Sequence, residues 1–129
     1  MEPQTKANIL LVDDEAALTR LMQTYLGKLG YNVESALRAS EAFETFRSNP
    51  TRFQLLVADL TLPDLPGNDM ALQMLAQNPD LRILLCSGYP FAVDSLPEPV
   101  QSRFAALQKP FLPNMLAKAI EDLLQRKIE

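Results

Sequence analysis

Ile9-Leu10-Leu11-Val12-Asp13-Asp14-Glu15 is the stretch whose reading decides the fold. Four apolar residues run without a break and three acids follow at once. A strand with one wet face alternates apolar and polar side chains; a short unbroken run suits a strand buried on both faces, under helices on each side. Downstream, Leu18, Leu21, Met22, Tyr25, Leu26 and Leu29 recur at helical spacing, and Gly30 supplies the stop. The alternation then repeats. Strands are expected at 31–36, 53–58, 81–86 and 105–108. Ser40 is the expected N-cap of a helix carrying Ala42, Phe43 and Phe46 and ending before Pro50. Another helix is expected over 68–77, between the loop Pro63-Asp64-Leu65-Pro66-Gly67 and the stop Asn78-Pro79. Met115, Leu116, Ala119, Ile120, Leu123, Leu124 and Ile128 mark a last amphipathic helix, with Pro113 near its first turn. Between residues 89 and 104, Pro90, Pro97 and Pro99 forbid one long helix, because each removes a donor and clashes with the preceding turn.

Five strand–helix units in succession, with no repeat and no linker, imply an α/β fold built on a parallel sheet with helices on both faces. The 129 residues fit one domain, since domains most often run about 100–150 residues. Hydrophobic residues at 47% and charged residues at 22% are ordinary for a globular chain. Twelve basic against sixteen acidic side chains leave a net charge of −4, which weighs against direct nucleic-acid binding and against adhesion to an anionic membrane. No apolar run approaches the ~20 residues that span a bilayer, and the start, MEPQTK, lacks a signal peptide's apolar stretch. There is no histidine, which removes His-containing triads, His-rich zinc sites and a phosphohistidine of the chain's own. A single cysteine, Cys86, forms no internal disulfide and points to a reducing, cytoplasmic compartment; it reads as a small buried apolar residue.

Ligands of such sheets bind at the carboxyl ends of the strands. Those ends carry Asp13, Asp14 and Glu15 after the first strand, Asp59 after the third, Ser87 after the fourth and Lys109-Pro110 after the fifth. Taken singly, each has a plainer meaning: a helix cap, a solvated strand end, a turn, a strand stop. Brought to one rim, they describe a site. Three converging carboxylates raise one another's pKa unless a cation lies among them. Oxygen donors without His or Cys suit Mg²⁺ or another hard cation. A lysine and a hydroxyl at the same rim hold phosphoryl oxygens, and an aspartate there acts as a nucleophile able to carry an acyl phosphate.

In this order and at these places, Asp13-Asp14, Asp59 with its Pro63…Gly67 loop, Ser87-Gly88 and Lys109-Pro110-Phe111 resemble the receiver domain of two-component response regulators. The resemblance spans residues 7–127, with 1–6 as a leader. Asp59-Leu60-Thr61-Leu62-Pro63 and Leu85-Cys86-Ser87-Gly88-Tyr89 look most like receivers of hybrid sensor histidine kinases. The resemblance implies a flavodoxin-like (βα)5 three-layer sandwich with sheet order 2-1-3-4-5. It implies a signalling phosphoacceptor rather than an enzyme with a diffusible product. A partner histidine kinase or histidine phosphotransfer domain would pass a phosphoryl group to Asp59. Mg²⁺, or Mn²⁺ in its stead, would be held by Asp14, Asp59 and the backbone carbonyl of Thr61, with Asp13 close by and acting partly through water. Lys109, joined to Pro110 by a cis bond, would pair with a phosphoryl oxygen. Ser87 would bond the phosphoryl group and draw its loop inward, biasing a surface of the fourth helix, fifth strand and last helix toward an output domain or a second copy.

Three positions depart from the family pattern. Ala106 stands where a Tyr or Phe switch often lies, with Phe104 two residues earlier. The prolines between 90 and 99 predict a short, shifted or irregular fourth helix. Leu112 stands where an N-capping side chain is expected before Pro113. Other readings are a small aspartyl-phosphate phosphatase or phosphotransferase, a flavin-phosphate module and a pseudo-receiver that takes no phosphate. The first wants a second Asp two residues after the nucleophile, where Thr61 stands. The second wants a hydroxyl-rich loop where Asp13-Asp14-Glu15 stands.

Overall fold

The structure, a computed structural model, describes residues 6–127. Residues 1–5 of the expected leader, and Ile128, lie outside the described residues. All strand pairings are parallel. Strand β1 (Asn8–Val12) lies between β2 (Asn32–Ala36) and β3 (Leu55–Asp59); β4 (Arg82–Ser87) follows β3, and β5 (Phe104–Gln108) closes the far edge. The order β2-β1-β3-β4-β5 is the one the resemblance implied. The register keeps the strand ends level: Val12 pairs with Ala36 and Ala58, Asp59 with Cys86, and Ser87 with Gln108.

Alternation along each central strand feeds two separate cores. Ile9, Leu11, Leu55, Val57, Leu84 and Cys86 pack against Met22 and Leu26 of α1 (Ala16–Lys28) and Leu116, Ile120 and Leu123 of α4 (Pro113–Gln125). Leu10, Val12, Leu56, Ala58, Ile83 and Leu85 pack against Phe43 and Phe46 of α2 (Ala39–Ser48) and Met70 and Met74 of α3 (Gly67–Gln77). Because helices cover both faces, β1, β3 and β4 hold no polar residue between their ends, whereas the edge strands β2 and β5 leave residues exposed. Helix α1 stops where Gly30 takes a φ of 102°, as read from its sequence.

Two expectations change. Ser40 is not the N-cap of α2. The helix begins at Ala39, and Arg38 at the cap position contributes no side-chain bond. The backbone N–H groups of Ala39 and Ser40 instead donate to the Asp64 carboxylate, each at 2.9 Å. The crossover from β4 to β5 carries no α-helix. It is built from two 3₁₀ turns, Val93–Ser95 and Glu98–Arg103, the second with Pro99 in its first turn. Its prolines account for this, since a Pro is tolerated only where its missing N–H is not needed. Leu96 is buried in the α2/α3 core, with Phe91, Val93 and Val100 packed beside it. Leu112 begins α4 without a side-chain cap, as expected.

Polar joints close the sandwich away from the strand tips. Arg82 Nη1 donates to the carbonyls of Leu123 (3.0 Å) and Leu124, occupying acceptors that the end of α4 would otherwise leave open. Arg126, which the sequence suggests is a solvated helix end, donates from Nη1 to the carbonyls of Ser102 and Phe104 at 3.0 and 2.9 Å. Among the described residues, no helix is long and apolar enough to cross a membrane.

Asn78 closes α3 and ties it to the segment that enters β3. Asn78 is buried; its Nδ2 donates to the carbonyls of Pro50 and Phe53, both at 3.0 Å, and its Oδ1 accepts the N–H of Asp80 at 3.2 Å. Asn78→Ala strands these groups, so it is expected to lower the unfolding free energy by about 2 kcal/mol. Urea denaturation measures this; an unchanged midpoint would contradict the assignment.

Candidate functional site

The level register delivers the tips of β1, β3, β4 and β5 to one rim. Asp13 follows β1 and is 2% exposed; Asp59 ends β3 and is 8% exposed. Each is fixed by backbone donors. Asp13 Oδ1 accepts the N–H of Glu15 at 2.9 Å, and its carbonyl accepts the hydroxyl of buried Thr19 at 3.1 Å. Asp59 Oδ1 accepts the N–H of Thr61 at 3.0 Å. The other oxygen of each carboxylate faces Lys109. Its Nζ donates to Asp13 Oδ2 at 2.8 Å and to Asp59 Oδ2 at 3.2 Å. Glu15 lies 3.9 Å from the same ammonium and is mostly in water. Exposed Asp14 completes the group: Asp13, Asp14 and Asp59 each offer a carboxylate oxygen, and these lie within 4.8 Å of one another.

Electrostatics follow from this packing. Burial disfavours the Lys109 ammonium, but the hydrogen bonds and charges of Asp13 and Asp59 outweigh it and hold the pKa above its ordinary 10.5. Lys109 therefore stays charged throughout the neutral range. Burial pushes the Cys86 thiol up to about 12, against the pull of Lys109 and with the help of Asp13 and Asp59, so it stays a protonated core residue. Three clustered carboxylates, of which Asp13 and Asp59 share one ammonium, leave negative charge in excess. That donor set, all hard oxygen, suits a divalent cation such as Mg²⁺.

The backbone around Asp59 is tightly drawn. Leu60 donates its N–H to the Cys86 carbonyl at 2.9 Å and accepts that of Gly67 at 2.9 Å, so the 60–66 loop is pinched at its base. A Cβ on Gly67 would fall 2.1 Å from the Asp59 carbonyl oxygen, which only glycine avoids. Ser87, buried at the tip of β4, accepts the N–H of Tyr89 on its Oγ at 3.1 Å; its carbonyl takes the N–H of Lys109 at 2.7 Å. The Lys109–Pro110 bond is cis. The rim opens into a cavity of about 500 Å³ lined by Glu15, Leu18, Gly88, Lys109, Pro110 and Phe111.

Asp13, Asp59 and Lys109 thus meet directly, with Asp14 beside them. Thr61 stands exposed in the loop with its N–H engaged by Asp59, and Ser87 lies at the adjacent strand tip, its hydroxyl turned to its own loop. Two supporting residues escaped the sequence reading. Thr19 looks like any residue of the helix face, and Asp64 looks like loop composition. The one available signal was Arg38, a poor N-cap before a helix that needs one.

A sequence model described as the response regulator receiver domain matches residues 9–121. The chain is similar to the response regulator receiver protein CpdR of Brucella abortus (strain 2308), with 32% identity over 117 residues that cover 90% of this chain and 95% of that protein. It is also similar to the sensor kinase CckA of the same organism, 27% identical over 121 residues. That match covers 94% of this chain and 13% of the kinase. A probable transcriptional regulator, ycf27 of Porphyridium aerugineum, is likewise spanned over only 49% of its length. Among solved structures, a CheY-like response regulator receiver domain protein from Methanospirillum hungatei JF-1 superposes with a TM-score of 0.74 at 27% identity, covering 92% of this chain and 93% of that one. A receiver domain protein from Clostridium thermocellum shares the fold, with a TM-score of 0.80 at 23% identity over 93% of this chain and 95% of that one.

With a chelator present, the excess negative charge opposes folding. Asp14 is the carboxylate of the three with no lysine contact. Asp14→Asn is therefore expected to stabilise the metal-free protein by ~1 kcal/mol, the order of the repulsion between unit charges within 4.8 Å of one another in a water-like dielectric. Thermal melts in EDTA decide it; a lowered midpoint would show that Asp14 has a stabilising contact instead.

Proposed function

We propose that this chain, which belongs to the response regulator receiver domain family, takes a phosphoryl group onto Asp59 from a phosphohistidine of a partner protein. The supporting observation is the convergence of Asp59, Asp13 and Lys109 at one strand rim, with two carboxylate oxygens held on a single ammonium. An Asp59 oxygen attacks phosphorus in line, and the P–N bond to the donor imidazole breaks. The electron pair leaves with the imidazole nitrogen, which regains a proton, and an acyl phosphate remains on Asp59.

Asp14, Asp59 and Asp13, with the Thr61 carbonyl, would hold Mg²⁺ or Mn²⁺. The bound ion supplies charge neutralisation for the transferring group. The chain's own residues do the rest. Thr61 N–H keeps Asp59 Oδ1 turned, so Oδ2, which Lys109 now holds, is the oxygen next to a counter-charge. Lys109 is long enough to exchange a carboxylate oxygen for a phosphoryl oxygen without losing its charge. Ser87 Oγ can donate to the phosphoryl group and still accept from Tyr89. The 500 Å³ cavity over Leu18 and Phe111 has room for a partner's imidazole. Slow hydrolysis of the acyl phosphate resets the domain. It acts as a signalling domain of a two-component phosphorelay in the cytoplasm.

Readout by a partner protein or a second copy would use the half-exposed edge at β5 and the neighbouring crossover and α4. With Ala106 in place of an aromatic side chain, that readout runs through the 88–103 crossover rather than through an aromatic flip on β5. The likeness to the CckA kinase favours a role as one module of a hybrid kinase.

Intact mass after incubation with Mg²⁺ and acetyl phosphate tests the reading. Wild type is expected to gain one phosphoryl group, Asp59→Asn none, and Lys109→Ala far less. Equal labelling of wild type and Asp59→Asn would remove Asp59 as the acceptor. An unlabelled wild type that also fails against phosphorylated histidine phosphotransfer proteins would leave a binding module.

A further inference from the structure

Helix α2 lacks a local cap, and its cap comes from the loop that carries Asp59. Leu37 N–H is taken by Glu41, at 3.2 Å, but the first helical N–H groups, those of Ala39 and Ser40, both point to Asp64, one to each carboxylate oxygen. Asp64 lies five residues after Asp59 and 25 after Ala39. It is therefore a tether across two elements as much as a cap. The loop needs one. Leu60 and Leu62 anchor its first half in the α2/α3 core and half-buried Leu65 packs against it, while Pro63, Asp64 and Pro66 are exposed and make no apolar anchor. Among the described residues, the bonds of Asp64 are the only hydrogen bonds joining residues 61–66 to an element other than β3 and α3.

We propose that Asp64 is a positioning residue for the carboxylate site: by fastening the β3–α3 loop to the N-terminus of α2, it fixes where Thr61 stands relative to Asp59. Thr61 N–H donates to Asp59 Oδ1, so a loop free to shift carries that donor with it and lets the Asp59 carboxylate turn. The two backbone bonds from Ala39 and Ser40 hold the Asp64 carboxyl below its ordinary 3.8. A lowered carboxyl pKa means the tether contributes fully above the unfolded value and is lost only as pH falls through the folded one, so it is intact at neutral pH. The inference rests on the reading that these carboxylates bind a divalent cation.

The test separates a cap from a tether. Asp64→Ala removes both. Arg38→Ser combined with Asp64→Ala restores a local N-cap to α2 but leaves the loop unfastened. Mg²⁺ affinity is measured by calorimetry on the folded proteins, and exchange of the Thr61 amide by NMR. Asp64→Ala is expected to weaken Mg²⁺ binding on the order of tenfold, as loss of a residue that orients metal ligands does. The double variant is expected to recover the thermal midpoint but neither the affinity nor the slow Thr61 exchange. Wild-type affinity in Asp64→Ala, or recovery of affinity and exchange together in the double variant, would reduce Asp64 to a helix cap and overturn the proposal. If wild type binds no Mg²⁺, the metal reading fails separately. Thr61 exchange then decides alone, faster in the double variant upholding the tether and unchanged overturning it.

Discussion

One ammonium holds the rim together. Lys109 Nζ bridges Asp13 and Asp59, the tips of two adjacent strands, from its own place at the end of β5. In a sheet of order β2-β1-β3-β4-β5, β5 is two strands away from β3, a distance of about 10 Å, so the side chain must reach over the end of β4. What lies under that reach is small: Ser87 and then Gly88, whose Cα has open space where a side chain would be. The Lys109 backbone is anchored first, its N–H on the Ser87 carbonyl at 2.7 Å, and only the side chain then spans. Burying charges this way is no economical route to stability, because desolvation consumes much of the attraction. Its consequence is placement. Two carboxylates are held with known oxygens turned toward a cation, before any ligand arrives.

That rim exists because the sheet is parallel and covered on both faces. Parallel strands put all their carboxyl ends on one side, and each connection must return under or over the sheet. Loops that hold the functional groups are therefore short and drawn tight against the tips. The pinch of Leu60 on Gly67 and the absence of space for a Cβ there show how tight. The opposite end of the sheet is occupied by structural joints, Asn78 under α3 and Arg82 under α4, which leave the rim free of that duty.

The crossover between β4 and β5 sets this chain apart from a regular βα repeat. Two 3₁₀ turns replace a helix, and β5 carries Ala106 where bulk is common in the family. A cavity of about 210 Å³ lies between the start of the crossover and β5, lined in part by Ser87, Tyr89, Phe91 and Ala106. Helix ladders resist small shifts because each interior N–H is engaged; 3₁₀ turns have poorer bonds and fewer of them. On the proposed reading, a change at Ser87 meets a connection built of 3₁₀ turns rather than of an α-helix.

Period and punctuation in the chain located all five strands to within two residues at each end, because full burial on both faces leaves an unmistakable apolar run, Gly30 precedes β2 and Pro110 follows β5. The placement of Asp13, Asp14, Asp59, Ser87 and Lys109 at one rim was legible for the same reason: once the strands are known, whatever ends or follows them lies there. Asp64 was not, since nothing in Pro63-Asp64-Leu65-Pro66-Gly67 says that its carboxylate turns back to a helix 25 residues earlier. Nor was Arg126, whose partners, Ser102 in the crossover and Phe104 at the start of β5, lie 24 and 22 residues upstream. The fold class, the parallel sheet and the residues that share the rim follow from local periodicity and strand ends, and so could be read from the chain. Which oxygen faces Lys109, where Ser87 turns its hydroxyl and what caps α2 were decided only by the tertiary structure, because each depends on distances between segments that no local pattern encodes.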